Sequence, residues 1–262
     1  MAQMYRFDGS ITPLHYGLWL RPELTGSQPH IQGRLSLRFR AERELSVLRL
    51  HALELWVESA SLERQQRLDD ELGHTVLAAP LTVDVSETSL EFLSFRLADG
   101  SCPLSAGEEA VLHVAYNANV APEGVAGCSG GGVGNGCYLA GGGGRAEDGE
   151  GPGCPCLATY LEPTAARSLF PCVDEPAYKC PFSLRFHTGG LPDGYTVLSN
   201  GDLLASEAAD DGRELVFAET PPMCTYLFCL VAGPLHYTEA ATASGLRLRV
   251  YLPRAEPLEH AR

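Results

Sequence analysis

The sequence predicts an all-β fold: an antiparallel saddle-shaped sheet or β-sandwich, with one short helix and one long glycine-rich loop. Three observations carry this. Apolar and polar residues alternate with period two over several runs, as half-buried strands require. Turn residues punctuate those runs at a spacing of roughly 8–12 residues, as in all-β domains. A single short stretch offers a helix.

In chain order, His15 to Arg21 makes an early strand, ended by Pro22, which lacks the N–H that a ladder uses. His30 to Ala41 alternates most clearly. Ile31, Gly33, Leu35, Leu37 and Phe39 fall on one face, and Gln32, Arg34, Ser36, Arg38 and Arg40 on the other. Leu45 to Leu50 and Leu53 to Ser59 give two strands or one bent strand. Leu81 to Val85, Ser89 to Leu97 and Ala110 to Asn117 continue the pattern, with turns at Thr25-Gly26-Ser27, Asp69-Asp70 and Asp99-Gly100. The second half offers strands at Phe182 to His187, Tyr195 to Ser199, Glu214 to Glu219, Thr225 to Ala232 and Leu246 to Leu252. Asn200-Gly201 and Asp211-Gly212 are hairpin-type turn pairs. The helix candidate is Thr164 to Leu169, with Pro163 suited to a first turn.

The 262 residues, 45% of them hydrophobic, suffice for a substantial core, and we read residues 1–262 as a single β domain. The net charge of −14 argues against nucleic acid, whose binding needs a basic footprint. The charge is uneven: residues 1–50 hold seven Arg and four acids, net +3, and the rest carry 12 basic and 29 acidic groups, net −17. No apolar run approaches the ~20 residues of a membrane span. Residues 123–153 contain 14 of the 28 glycines. Such a segment buries too little apolar surface to offset its ordering entropy, so it reads as a flexible insertion.

Nine cysteines are present. Cys128, Cys137, Cys154 and Cys156 lie in or beside the glycine-rich stretch, at spacings that do not match a zinc knuckle, and read as unpaired loop thiols. The first residues show no signal-peptide pattern and no Asn-x-Ser/Thr sequon occurs, which points to a reducing, cytoplasmic compartment. No nucleotide-binding glycine motif follows a strand. Trp19 and Trp56 read as core or rim aromatics.

One stretch is more specific than a generic β protein. It runs Ala158-Thr159-Tyr160-Leu161-Glu162-Pro163-Thr164-Ala165-Ala166-Arg167-Ser168-Leu169-Phe170-Pro171-Cys172-Val173-Asp174-Glu175-Pro176-Ala177-Tyr178-Lys179. It resembles a segment of the aminopeptidase N family of zinc aminopeptidases, T-Q-F-E-P-T-x-A-R-x-x-F-P-C-x-D-E-P-A-x-K. Ile11 to Tyr16, Tyr195 to Asn200, Pro221 to Leu227 and Leu248 to Tyr251 are similar to further family segments in the family's order. The resemblance implies the saddle-shaped N-terminal β domain that precedes the catalytic domain, with the glycine-rich stretch as an expanded loop.

The resemblance also implies roles. Glu162 matches the family glutamate that binds the free amine of a peptide substrate by a charge-assisted hydrogen bond; capping of the short helix at Thr164 and a solvated loop acid are the other readings. Tyr160 stands where the family has a glutamine lining the first substrate side-chain pocket, which leaves substrate preference open. Arg167, Asp174 and Glu175 read as an internal salt-bridge and turn cluster. Phe170, Pro171 and Pro176 read as packing and turn residues, and Cys172 as a small buried hydrophobe.

The family holds its catalytic zinc with H-E-x-x-H on a helix, two His one turn apart. The eight His here are nowhere closer than 15 residues, and no His-Glu dipeptide occurs. The expectation is an N-terminal, substrate-contacting domain of a zinc aminopeptidase, as a fragment, short isoform or truncated gene product. Its partners would be a catalytic domain and a peptide, its zinc would belong to the intact enzyme, and the chain alone would be inactive. A freestanding β module that binds peptides or a partner protein is the alternative. A truncation product with no role of its own is the third reading.

Overall fold

The strand of clearest alternation, β2 (His30–Ala41), buries Ile31, Leu35, Leu37 and Phe39 and turns Arg34 and Arg38 to solvent. It sits near the middle of a ten-stranded sheet in the computed structural model, which describes residues 6–24, 28–67, 74–84, 91–97, 103–121, 136–140 and 155–253. The chain proceeds through β1 (Ile11–Glu23), β2, β3 (Val47–His51), β4 (Leu55–Arg67), β5 (His74–Asp84), β6 (Phe92–Leu97) and β7 (Glu109–Asn119). It continues through β8 (Gly136–Ala140), β9 (Cys156–Tyr160), β10 (Phe182–His187), β11 (Thr196–Ser199), β12 (Leu203–Ala209) and β13 (Gly212–Phe217). It ends in β14 (Leu230–Gly233), β15 (Leu235–Ala241) and β16 (Arg247–Pro253). The large sheet has the order β12-β13-β10-β1-β2-β7-β4-β5-β6-β3. A four-stranded sheet has the order β11-β14-β9-β8, and β15 and β16 form a separate ribbon. The fold is all-β, as the alternation predicts.

Where the structure departs from the sequence reading, the cause is local. Pro22 lies inside β1, opposite Ile31. The parallel partner β10 covers only Tyr16–Leu20 of β1, so Pro22 has a neighbour on one side alone and its missing N–H is tolerated. Asn200-Gly201 is not a hairpin turn, because β11 pairs with β14 and β12 with β13. The chain changes sheets there, and a Cβ on Gly201 would lie 2.2 Å from the Ala218 carbonyl oxygen. The hairpin expected at Asp211-Gly212 forms one residue earlier: Gly212 opens β13 opposite Ala209, and Asp210-Asp211 are the turn pair. Residues expected as strand from Thr225 begin as a 3-10 turn, Thr225–Leu227, and β14 starts only at Leu230.

The expected helix is one 3-10 turn, Ala166–Ser168, preceded by Ala165 rather than Pro163. The Arg167 carbonyl accepts from Leu53 N–H, on the chain between β3 and β4, and so is not available to extend a helical ladder. Within the glycine-rich stretch, Gly136–Ala140 pair with β9 as a strand. Cys137 and Cys156 are therefore strand residues, the former buried, rather than loop thiols. The rest of that stretch, Cys128 and Cys154, and the turns at 25–27, 69–70 and 99–100 lie outside the described residues.

The core joins the inner face of the large sheet to the four-stranded sheet and to the segment after β9. Tyr16 of β1 stacks on Phe182 of β10, with ring centroids 4.8 Å apart. Phe170 stands edge-on to Phe182 at 6.0 Å and to Phe228 at 5.6 Å. These four rings tie the large sheet to the segment after β9 and to the chain just before β14, and such pairs add about 0.5–1.5 kcal/mol each beyond area burial.

Candidate functional site

The segment after β9 is a clasp, and its residues divide by burial. Leu161 and residues 166–174 are buried, whereas Tyr160, Glu162, Pro163 and Thr164 are exposed. β9 is fixed first: Thr159 Oγ1 accepts from Leu230 N–H at 2.9 Å, on neighbouring β14. The chain then turns outward, and Ala165 N–H returns to the Leu161 carbonyl at 2.8 Å. This closes a loop around Glu162, Pro163 and Thr164, with a cis bond between Glu162 and Pro163.

Behind that loop Cys172, Val173, Asp174, Glu175 and Pro176 each have a fixed partner. Cys172 exchanges both backbone hydrogen bonds with His51 at the end of β3, at 2.8 and 3.0 Å. Burial pushes its thiol well above the usual range. Val173 N–H donates to the Tyr16 hydroxyl at 2.9 Å. Burial likewise holds the Tyr16 phenol protonated to higher pH than usual. Glu175 accepts from Phe7 N–H at 2.6 Å. The Pro176 carbonyl accepts from the Cys224 thiol at 3.4 Å.

Asp174 is the hub, with a side chain 1% exposed. Its Oδ2 accepts from Arg167 Nε at 3.1 Å and from Arg167 N–H at 3.3 Å. Its Oδ1 accepts from Thr225 Oγ1 at 2.6 Å. The Arg167 guanidinium, 6% exposed, also reaches Glu91 at 2.7 Å. Asp174 N–H donates to His51 Nδ1 at 3.1 Å. A backbone N–H only donates, so that nitrogen carries no proton. Buried charges this closely paired satisfy each other and hold the clasp in one arrangement. Arg167 and Asp174 thus form the internal cluster expected from sequence, while Glu175 holds Phe7 in the segment before β1.

The Glu162 carboxylate makes no hydrogen bond or ion pair among the described residues, and no side chain caps the 3-10 turn. Tyr160, half exposed, ends β9 two residues earlier. One neighbour is not legible in the sequence. The Tyr226 phenol is held above its usual range, first by the Cys224 thiol and also by the charge of Glu162, so Tyr226 stands near that carboxylate. The Thr225–Asp174 bond carries the 3-10 turn bearing Tyr226 to the clasp. An exposed, unpaired carboxylate on a rigid loop can accept hydrogen bonds from a cationic group.

Among the described residues no group of three or more His, Cys, Asp or Glu is placed to hold a metal ion. No described helix is long and apolar enough to cross a membrane.

The profile of the Peptidase M1 N-terminal domain matches residues 12–227. A Caenorhabditis elegans protein named puromycin-sensitive aminopeptidase is 27% identical over 250 residues, which are 91% of this chain and 22% of the relative. Aminopeptidase M1-D of Oryza sativa subsp. japonica is 28% identical over 250 residues, 95% of this chain and 24% of the relative. The probable M1 family aminopeptidase 1 of Encephalitozoon cuniculi is 41% identical over 96 residues, 36% of this chain and 11% of the relative. The chain thus spans about a quarter or less of the curated relatives it matches.

Proposed function

The chain belongs to the family of Peptidase M1 N-terminal domains, and from that premise we propose that it is the substrate-contacting domain of a metalloaminopeptidase. The intact enzyme would remove N-terminal residues from peptides. The observation that carries this is the exposed, unpaired Glu162 on a clasp held from behind by the buried Arg167–Asp174–Thr225 cluster. In this reading Glu162 accepts charge-assisted hydrogen bonds from the α-ammonium of the bound peptide, and Tyr160 borders the pocket for its first side chain. With no internal partner to displace, Glu162 can turn to substrate without breaking a bond of its own.

The partner in this reading is a catalytic domain of the same protein. The β15–β16 ribbon supports it, since Leu246, Leu248 and Val250 are exposed on its last strand and the turn before it. A freestanding module would be expected to cover such a surface. Zinc, implied by the resemblance for the intact enzyme, does not fit the described residues of this chain, which bring no three His, Cys, Asp or Glu together. We also propose a cytoplasmic location, supported by Cys156, Cys172, Cys180, Cys224 and Cys229, which stand as thiols outside any disulfide.

The test is an assay of aminoacyl reporter hydrolysis, with and without added zinc, on the purified 262-residue chain and on the intact protein. We expect metal-dependent release by the intact protein and none by the chain alone. Zinc-dependent turnover by the chain alone, or none by the intact protein, would overturn the reading.

A further inference from the structure

Trp56 is 77% exposed, an unusual position for a large apolar ring. It opens the outer face of the large sheet at the start of β4, beside Asn117 of β7. Around it lies an open cleft of about 600 Å³, bordered by His30, Glu54, Glu58, Asn117 and Asn119. The backbone on either side of the ring is irregular. Glu54 adopts a left-handed conformation, with φ of 54°. A register shift between Val57 and Ser59 leaves Glu58 without a partner in the ladder. Such bulges re-aim a side chain: here Glu58 Oε1 accepts from Asn117 Nδ2 at 2.8 Å. Glu54 makes no hydrogen bond or ion pair among the described residues. The cleft therefore combines one indole face with two carboxylates, and no Lys or Arg lines it.

The same protein shows what such a ring pairs with. Trp19, the other tryptophan, has the Arg34 guanidinium 4.6 Å from its ring centroid and donates through Nε1 to Glu214 at 3.1 Å. Arg49 lies 4.5 Å from the Phe92 centroid, and Arg249 lies 4.8 Å from that of Tyr237. Trp56 has carboxylates beside it and no stacked cation among the described residues. A planar guanidinium both stacks on an indole and forks to a carboxylate; an ammonium does only part of this.

From this we propose that the Trp56 cleft binds an arginine side chain presented by a polypeptide, with the guanidinium stacked on the indole and paired to Glu54 and Glu58. The site is separate from the Glu162 clasp and independent of the proposed function.

The test uses the 262-residue chain and short glycine–serine peptides carrying a single arginine, lysine or citrulline, followed by tryptophan fluorescence and calorimetry. The arginine peptide is expected to give a saturable change that weakens with salt, with lysine weaker and citrulline at least about tenfold weaker. Trp56→Ala should abolish it, and Glu54→Gln with Glu58→Gln should weaken it at least about tenfold. These exposed positions leave the core intact, which thermal melts of the variants verify. No saturable response to the arginine peptide, an equal response to citrulline, or binding unchanged in Trp56→Ala overturns the proposal. Saturable binding of a neutral oligosaccharide in place of the arginine peptide does so as well.

Discussion

Replacing Asp174 with alanine removes three acceptor contacts at once: Arg167 Nε, Arg167 N–H and Thr225 Oγ1. It leaves a buried guanidinium with Glu91, whose side chain is 35% exposed, and the Asp174 backbone carbonyl at 3.4 Å. Removing one partner of a buried pair costs about 3–5 kcal/mol. Because Glu91 still neutralises part of the charge, the expected loss lies near the lower end, about 3 kcal/mol. That is a large share of the ~5–15 kcal/mol that holds a domain folded. With a urea m-value of about 3 kcal/mol/M, the midpoint falls by about 1 M. Equilibrium urea unfolding of the 262-residue chain, followed by circular dichroism, measures it. Thr225→Val, which leaves one Asp174 lone pair unfilled, should cost less, about 1–2 kcal/mol. A change below about 1 kcal/mol in Asp174→Ala would refute the reasoning that the pair locks the clasp.

Three further outcomes are expected. Gly33→Ala places a Cβ 2.2 Å from the Tyr116 ring, which is buried, so it should cost about 1–3 kcal/mol by overpacking, read as a lowered urea midpoint; an unchanged midpoint would count against the close approach. Burial pushes the Cys180 thiol up to about 12 from 9.0. Between those values the unfolded chain loses a proton that the folded chain keeps, so this group's contribution falls as pH rises, by up to about 1.4 kcal/mol per unit. Urea midpoints taken from pH 8 to 11 should therefore fall less steeply in Cys180→Ala than in wild type, and parallel slopes would contradict the assignment. Native thiol labelling at neutral pH should modify exposed Cys229 well before buried Cys172 and Cys180, and equal rates would contradict their burial.

Much of the fold is legible because burial follows period two. β2 and β10 have the expected limits, and the buried face of β2 is the expected one. The strands that escape notice are those with weak alternation. β12 is largely exposed on both faces, and β8 lies within a glycine-rich stretch where composition argues for a loop. Sheet membership is less legible still, since a turn pair such as Asn200-Gly201 does not state which partners its flanking strands take. The clasp is legible as an internal cluster through Arg167 and Asp174. Its long-range partners Thr225, His51 and Tyr16 are not, because contacts across so much chain leave no local pattern. The exposure of Trp56 also escapes the sequence: its strand begins after a left-handed residue and contains a bulge.

The most direct measurement concerns Glu162 in the intact protein. kcat/KM is compared between wild type and Glu162→Ala for a peptide with a free N-terminal amine, together with the Ki of a matched analogue lacking the amine. A hydrogen bond to a charged group contributes about 1.5–3 kcal/mol, so kcat/KM should fall about 10–150-fold in Glu162→Ala. The Ki of the amine-less analogue should stay within about twofold. Unchanged kcat/KM, or equal losses for both ligands, would contradict the placement of Glu162 on the substrate amine.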